Sequence, residues 1–265
     1  MKSLPRISVL LLTLLVLAAI VVPWLSPHDY FSPDWNAIDL SPTLTSGHLL
    51  GTDYLGRDLL VRLAWGCRIS LLVAVAASLI SLVIGVGWGA VAGYLGGRVD
   101  GFMMRTVDVL YSVPFTPLVV VLTVLFGRDL MLLFIAIGAV SWLDIARVVR
   151  AQTQGLAQRE FVIAAEVAGV HPLAILRRHI APNLVGVVIV WLTLTIPTVI
   201  LTEAFLSYLG LGAQSPLTSL GVMLADGAAQ MRSRPLLLVC PAVVLIVLVY
   251  CCNRIGDALR DRHGN

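Results

Sequence analysis

The sequence predicts an all-α, polytopic membrane protein with about six transmembrane helices. Of its 265 residues, 58% are hydrophobic and only 12% are charged, and the mean hydropathy is +0.94. A soluble globule needs more polar surface than this composition supplies. The apolar residues also form long blocks, and a helix that spans a bilayer needs about 20 predominantly apolar residues.

Six apolar blocks are the candidate membrane helices: residues 7–25, 69–95, 109–127, 130–143, 184–202 and 236–253. The fourth block is short, and an uncharged run of that length can also be a re-entrant or buried segment. We divide the chain into residues 1–68, which hold the first membrane helix and an outer segment, and residues 69–265, which form the core domain.

The first block could instead be a signal peptide, because Lys2 and Arg6 precede or begin an apolar run. The run is longer than a usual signal-peptide core, and no small-x-small cleavage site precedes Trp24. We therefore expect the block to be retained as the first membrane helix.

The basic residues predict the orientation. With the N-terminus inside, twelve of the 18 Lys and Arg residues fall in cytoplasmic segments and six in outer segments. Cytoplasmic loops carry such an excess. We therefore expect both termini and residues 144–183 to be cytoplasmic, with residues 26–68 and 203–235 facing outward. The net charge of +3 follows from this topology and gives no indication of nucleic-acid binding.

The chain shows no motif for catalysis or metal binding. Cys67, Cys240, Cys251 and Cys252 form no CxxC pair or His-supported metal spacing, which favours a role as small apolar packing residues. A zinc-protease motif, a Gly-x-Ser-x-Gly elbow and a phosphate-binding Gly-x-x-x-x-Gly-Lys loop are all absent from the sequence. We expect no catalytic residue, metal or cofactor in this chain.

Residues 160–183, EFVIAAEVAGVHPLAILRRHIAPN, interrupt the apolar blocks. Residues 160–168 favour a helix, and Gly169 can take the left-handed conformation that ends one. Pro172 suits the first turn of a second helix, where its missing N–H costs nothing. The sequence thus predicts two short helices bent at Gly169, the second ended by Pro182.

The second short helix is predicted to be amphipathic. Leu173, Leu176 and Ile180 share one face, and Arg177 and Arg178 fall on another. This mixed surface suits a groove on a partner protein. It would also suit lipid headgroups, with the basic residues meeting anionic lipid.

Four stretches carry motifs that occur in a fixed order along the chain: HLLGTDYLGRDLLVRLAWGCRISL at 48–71, AAEVAGVHPLAILRRHIAPN at 164–183, FLSYLGLGAQSPLTSLGVMLADG at 205–227 and NRIGDALRD at 253–261. The second resembles the cytoplasmic EAA loop of ABC-importer permeases. Together the four resemble the second, C-type membrane subunit of the dipeptide, oligopeptide and nickel permeases.

The resemblance implies the type I ABC-importer permease fold and a division of labour in a bacterial cytoplasmic (inner) membrane. Two homologous permease subunits form the pathway, two ABC ATPase subunits bind ATP and Mg²⁺, and an extracytoplasmic binding protein delivers substrate. The loop at about 144–183 would be the ATPase-coupling loop. Its implied coupling residues are Ala164, Ala165, Glu166, Gly169, Pro172, Arg177, Arg178 and Pro182. The two alanines and Gly169 would be small because a docked backbone approaches closely.

Two positions depart from the family pattern. The acidic residue that names the EAA motif falls at Ile163, and Glu166, three residues on, is a candidate to replace it. The tryptophan usually found in the later loop is Leu220.

Several residues in the apolar blocks are candidates for packing or for the pathway. Gly85, Gly89, Gly93 and Gly97 form a stripe that lets helices pack closely, within this chain or against the sister subunit. Pro114, Pro117 and Pro197 interrupt membrane helices and are candidates for kinks near the pathway or for ordinary kinks, with Pro114 and Pro197 the candidate pathway residues. Asp108, Asp144 and Glu203 lie near predicted membrane boundaries, and Glu203 is the candidate pathway carboxylate.

The outer segments carry turn residues and paired charges. Gly51, Asp53, Gly56, Arg57 and Asp58 would hold the outer vestibule together or contact the binding protein. Residues 205–235 are rich in glycine and lack an apolar run long enough for a seventh span, which predicts a structured loop or re-entrant hairpin.

The sequence therefore indicates a permease subunit of a binding-protein-dependent importer for di- or oligopeptides, with nickel or a metal chelate as the alternative substrate. An autonomous channel or secondary transporter would leave the coupling loop unexplained. An intramembrane enzyme would need converging catalytic groups inside the helices, and the sequence shows none.

Overall fold

The computed structural model describes residues 5–43, 47–127 and 129–263, and in these ranges the chain is α-helical apart from loops and a bridge between Thr52 and Asp58. Lys2 and residues 44–46 lie outside the described ranges. The helices are α1 (Arg6–Leu25), α2 (Leu59–Leu95), α3 (Gly97–Tyr111), α4 (Phe115–Phe126), α5 (Leu130–Ala157), α6 (Glu160–Val167), α7 (Pro172–Ile175), α8 (Ala181–Tyr208), α9 (Leu220–Ala229) and α10 (Leu236–His263). A π-helical turn, Leu176–Ile180, joins α7 to α8.

Five helical stretches in the described ranges are long and apolar enough to cross a membrane, and α3 with α4 makes a sixth if the bent pair counts as one span. This agrees with the six predicted blocks, with one correction. Block 109–127 is not a single helix, because the chain bends by 78° between α3 and α4. Pro114 explains the break, since a proline disfavours helical geometry at the residue before it.

Helix α5 is twice as long as the predicted block 130–143, because it continues to Ala157. The extension carries charged residues that the structure pairs. Arg150 donates to Asp100 of α3, with 2.6 Å between Nη2 and Oδ2. The sequence had indicated that Asp144 lies at the end of the apolar block. In the structure it lies inside α5.

Helix α2 also starts earlier than predicted, at Leu59. Asp58 caps it, with a carboxylate oxygen accepting from the N–H of Val61 at 2.9 Å. The predicted division after residue 68 falls inside this helix, so the two parts of the chain share α2.

The glycine stripe packs α2 against α5 within this chain. A Cβ atom added at Gly85, Gly89 or Gly93 would lie 2.4–2.8 Å from a backbone carbonyl oxygen of α5. Only a residue without a side chain allows the two backbones to approach this closely. Gly97 does not belong to the stripe, because it starts α3 with φ +52° and has open space around it.

The short helix α9 fills the space between α8 and α10. A Cβ atom at Gly221 would lie 2.3 Å from the carbonyl oxygen of Ala204, and one at Gly227 would lie 2.4 Å from that of Leu237. With 10 residues, α9 is too short to cross a bilayer. Residues 205–235 thus form a structured segment and not a seventh span, as predicted.

The cysteines are packing residues, as expected. Cys67, Cys251 and Cys252 are buried, Cys240 is half-buried, and all four are free thiols. Helix α1 packs along α2 and α10 and is mostly exposed elsewhere. The guanidinium of Arg68 on α2 donates to the carbonyl oxygen of Ala19 at 2.8 Å.

Candidate functional site

The bend between α6 and α7 has the geometry that the sequence predicted. Gly169 has φ +75°, and its N–H donates to the carbonyl oxygen of Glu166 at 2.9 Å. The N–H of Val170 donates to the carbonyl oxygen of Ala165 at 3.1 Å. These two bonds form a Schellman motif, which satisfies the last carbonyl groups of α6 and fixes the angle at which the chain leaves it.

Helix α7 begins as predicted, with Pro172 in its first turn. The ring of His171 caps it, because Nδ1 accepts from the N–H of Leu173 at 3.3 Å. Thus α6, the glycine turn and α7 form one defined unit, residues 160–175, which we call the α6–α7 segment.

Pro182 does not end this helical stretch, contrary to our prediction. The chain passes from α7 through the π turn directly into α8, and the N–H of Ala181 donates to the carbonyl oxygen of Leu176, five residues back. A proline ring clashes with the carbonyl four residues before it in an α-helix. The wider π turn accommodates the ring at Pro182, and the side chain of Asn183 bonds the carbonyl oxygen of His179 at 2.6 Å.

The π turn also changes which residues face inward. We expected Leu173, Leu176 and Ile180 on the packed face, but Leu173 is 58% exposed and Leu176 is half-buried. Ile175 and Ile180 are fully buried instead. They lie five residues apart, which is one π turn and not one α turn.

A hydrophobic cluster fastens the α6–α7 segment to the membrane helices. Its buried members are Ile145, Val149, Val162, Ala165, Ile175, Ile180 and Leu184. They come from α5, α6, α7, the π turn and α8. Ala165 therefore packs against its own chain, although we had expected it on a docking surface.

The opposite face of the segment, together with the adjoining π turn, is exposed, apolar in part and basic. Its exposed residues include Phe161, Ile163, Ala164, Glu166, Val167, Gly169, Pro172, Leu173, Arg177 and Arg178. Val167 is 84% exposed, and Phe161, Ile163 and Leu173 are exposed on the same segment, so several apolar side chains lack a cover here. We call these ten residues the docking face.

The carboxylate of Glu166 lies close to the hydroxyl of Tyr94 in the last turn of α2. Ile163, at the position of the missing family glutamate, is 47% exposed. Glu166 thus lies beside a polar group of its own chain. Ile163 has an aliphatic side chain and cannot make the salt bridge of the family glutamate.

Glu203 is buried in a closed polar cluster. Its carboxylate accepts from the hydroxyls of Ser70 on α2 and Ser207 on α8, each at 2.7 Å. Ser70 in turn accepts from the N–H of Leu220 on α9 at 3.3 Å. Glu203 is 0% exposed and is not among the residues that line the cavity described next, and its role in the pathway stays a prediction.

A cavity of about 360 Å³ opens where α3 and α4 meet, between α5 and α8. Tyr111, Pro114, Ser141, Asp144 and Thr202 are among its lining residues. Pro114 thus marks both the helix break and the cavity wall. Pro197, the other candidate kink, is buried within α8 and is not part of that wall.

The loop between α1 and α2 is held by its glycines. A Cβ atom at Gly51 would lie 2.4 Å from the carbonyl oxygen of Leu40, and one at Gly56 would lie 1.8 Å from that of Asp34. Both glycines have positive φ, +80° and +74°. Any other residue would have to push the loop open and adopt a disfavoured backbone conformation.

Asp53 is the polar centre of this loop. It accepts from the N–H of Leu55 at 2.9 Å, from Nε of Arg57 at 2.8 Å and from Arg62 of α2. Arg62 also donates to Asp226 of α9 at 3.1 Å. Sequence reasoning missed Arg62, whose partner Asp226 is 164 residues away.

Asp58 pairs with His48 at 2.9 Å, and the rings of His48 and His28 stack with centroids 4.2 Å apart. In the described part of the chain, His28, His48 and Asp58 are the one group of three side chains whose donor atoms could converge on a metal ion. Because His48 and Asp58 already contact each other, we interpret the group as a structural contact that holds the loop at the start of α2.

The fold is that of ABC-importer permeases. It is similar to a chain of the structure titled "Inward facing conformations of the MetNI methionine ABC transporter: CY5 SeMet soak crystal form", with a TM-score of 0.61 over 77% of this chain and 96% of that chain at 20% identity. That likeness concerns the fold alone. The model of the binding-protein-dependent transport system inner membrane component family matches residues 85–264. The model of the N-terminal TM domain of oligopeptide transport permease C matches residues 3–42.

Two relatives show how far the likeness extends. The oligopeptide transport system permease protein OppC of Haemophilus influenzae is 49% identical over 96% of this chain and 82% of its own length. The dipeptide transport system permease protein DppC of Bacillus subtilis is 40% identical over 98% and 81%. The chain belongs to the family of binding-protein-dependent transport system inner membrane components. It is a multi-pass, non-catalytic membrane subunit of that family.

Proposed function

We propose that this chain is the permease subunit of an importer for di- and oligopeptides, which couples ATP hydrolysis by partner subunits to translocation. The observation that carries the proposal is the two-sided α6–α7 segment. One side is exposed, apolar and basic, and the other is packed into the membrane helices. The relatives named above are peptide permeases, which supports a peptide substrate over the alternative of nickel or a metal chelate.

The packing suggests how the segment would transmit force. Val162 and Ile175 share a cluster with Ile145 of α5 and Leu184 of α8. Helices α5 and α8 also form walls of the cavity at the α3–α4 break. Because close-packed elements move as units, displacement of the docking face by a partner would shift both walls.

The proposed assembly has two permease subunits, two ABC ATPase subunits that bind the docking face, and an extracytoplasmic binding protein. ATP and Mg²⁺ would bind to the ATPases, and this chain would hold no cofactor. The chain would lie in the bacterial inner membrane with both termini and the α6–α7 segment in the cytoplasm. An autonomous channel would need no such docking face.

Co-purification from the membrane tests the docking role. Arg177 is exposed and Arg177→Glu should leave the fold intact, because an exposed charge contributes little to stability. It should nevertheless reduce the ATPase retained by the complex and give a partial transport defect in reconstituted vesicles. The matched control is Arg254→Glu on α10, another exposed arginine outside the docking face. Equal ATPase retention and transport in both variants would contradict the proposal.

A further inference from the structure

The break between α3 and α4 is the point where a candidate membrane span loses its helical hydrogen bonding. Tyr111, Val113, Pro114 and Phe115 at this break all line the cavity. Irregular backbone at membrane depth is tolerated where it is buried in protein or lines a water-filled cavity. The break therefore supports the interpretation that this cavity is aqueous and part of the pathway.

Asp144 is the one carboxylate among the residues that line this cavity. It is the 15th residue of α5, which places its Cα about 21 Å along the helix from Leu130 at 1.5 Å per residue. Asp144 thus lies near the middle of α5, on the wall of the cavity at the helix break, where its carboxylate needs water or a partner.

No partner within the described part of the chain satisfies Asp144. The nearest basic residue along α5, Arg147, donates to Asp108 at 2.9 Å and lies over the ring of Tyr111 at 4.4 Å from its centroid. The side chain of Asp144 is exposed. An exposed, unpaired carboxylate on the wall of this cavity is suited to bind a cation.

Two hydroxyl groups extend the acceptor character of the wall. Ser141 donates its proton to the carbonyl oxygen of Ile137 at 2.8 Å, and Thr202 donates its proton to that of Thr198 at 2.9 Å. With their protons used inside their own helices, both hydroxyls offer lone pairs to the cavity. The three groups therefore form a set of acceptors on a wall whose other residues, apart from Tyr111, are apolar.

We propose that Asp144, assisted by Ser141 and Thr202, receives the α-ammonium group of the peptide during translocation. An ammonium group has three donors and no acceptor, which matches the three acceptors that Asp144, Ser141 and Thr202 offer. The apolar remainder of the wall, with Val113, Phe115 and Ile137, tolerates varied side chains without selecting among them. This inference rests on the proposed function, because it names the residue that would contact the peptide substrate.

The test uses the complete transporter in lipid vesicles, with the binding protein supplied in excess. Trialanine and N-acetyl-trialanine are the probes, each at a concentration that fills the binding protein to the same extent. Asp144→Asn should lower trialanine transport at least about tenfold, as expected when a charge-assisted hydrogen bond is lost. It should leave transport of the acetylated peptide unchanged, and Asp144→Glu should restore most of the trialanine rate. The control is Asp257→Asn, an exposed carboxylate on α10 far along the chain from the cavity.

Each outcome decides between the ideas. A wild-type complex that carries neither peptide contradicts the proposed function itself. If wild-type transports trialanine and Asp144→Asn transports it equally well, the ammonium site is wrong and the peptide function stands. Equal loss of both peptides in Asp144→Asn, or loss of the second permease on purification, would show that the carboxylate serves assembly, and would also overturn the inference.

Discussion

Ser70 and Glu203, 133 residues apart, are joined by a hydrogen bond of 2.7 Å between the serine hydroxyl and the carboxylate. The same serine oxygen accepts from the N–H of Leu220, so one side chain joins α2, α8 and α9. All three helices also meet in the main hydrophobic cluster of the chain. Polar groups therefore link the three helices inside a hydrophobic cluster.

We expect Ser70→Ala to destabilise the folded chain by about 1–3 kcal/mol, because it leaves a buried carboxylate oxygen and a buried N–H without a partner. Thermal unfolding in detergent measures this as a lower midpoint. The control is Thr106→Val, whose exposed hydroxyl bonds only its own helix at Phe102. A midpoint for Ser70→Ala equal to that of the control would show that the hydrogen bonds of Ser70 do not contribute to stability.

Substitutions at Gly169 can distinguish the effect of backbone strain from the effect on ATPase binding to the docking face. Gly169→Val places a branched side chain at φ +75°, which costs on the order of 1 kcal/mol or more. No heavy atom of this chain would lie within 4 Å of the added Cβ atom. We therefore expect the chain to insert into the membrane but to lose transport and most ATPase association, measured together in vesicles.

Two further variants make the Gly169 experiment decisive. Gly169→Asn tolerates the left-handed conformation and adds a side chain to the docking face, so it reports on docking with little strain. Gly155→Val on α5 also has open space but no positive φ, and it should keep transport. Transport and ATP hydrolysis at wild-type levels in Gly169→Val would show that the segment does not couple the subunits.

The glycine stripe predicts strong sensitivity to one added carbon. At Gly89 a Cβ atom would lie 2.4 Å from the carbonyl oxygen of Ala146, so Gly89→Ala should push α2 from α5 and cost about 1–3 kcal/mol. Gly87→Ala, two residues away with open space around it, should cost nothing or stabilise α2 slightly. The yield of monodisperse protein in detergent, together with the unfolding midpoint, compares them. Equal behaviour of the two variants would contradict close packing at Gly89.

The orientation can be tested with single cysteines in a chain that lacks its four native thiols. Gln158 and Ser41 are both exposed, on opposite sides of the proposed membrane. We expect a membrane-impermeant thiol reagent added outside intact cells to label Ser41→Cys and to leave Gln158→Cys unlabelled until the membrane is opened. The reverse labelling pattern would invert the topology proposed from the charge distribution.

The local features of the α6–α7 segment could be predicted from sequence, and the features that depend on distant contacts could not. A glycine with a proline three residues later predicts a bend from backbone geometry alone, as found at Gly169 and Pro172. The π turn before Pro182 was missed, because the same sequence is compatible with an ordinary helix end. For that reason Leu173, which we expected to be buried, is exposed, and Ile175 is buried instead.

Charged residues explain the other errors. The predicted fourth block stopped before Asp144 because the apolar run ends there, but the helix continues to Ala157. In this extension Arg150 donates to Asp100, which lies fifty residues earlier in the chain. The serine partners of Glu203 could not be identified from their positions in sequence either. In both cases the partner that makes the charge tolerable comes from another helix.

The length of α2 gives it a mechanical role. Its 37 residues extend for about 55 Å, against about 30 Å for the hydrocarbon core. Arg62 in its first turns donates to Asp226 of α9. Near its other end, Val86, Ala90 and Tyr94 pack against the hydrophobic cluster that fastens the α6–α7 segment. One continuous helix therefore contacts both α9 and the α6–α7 segment, and we expect a displacement of either one to reach the other along α2.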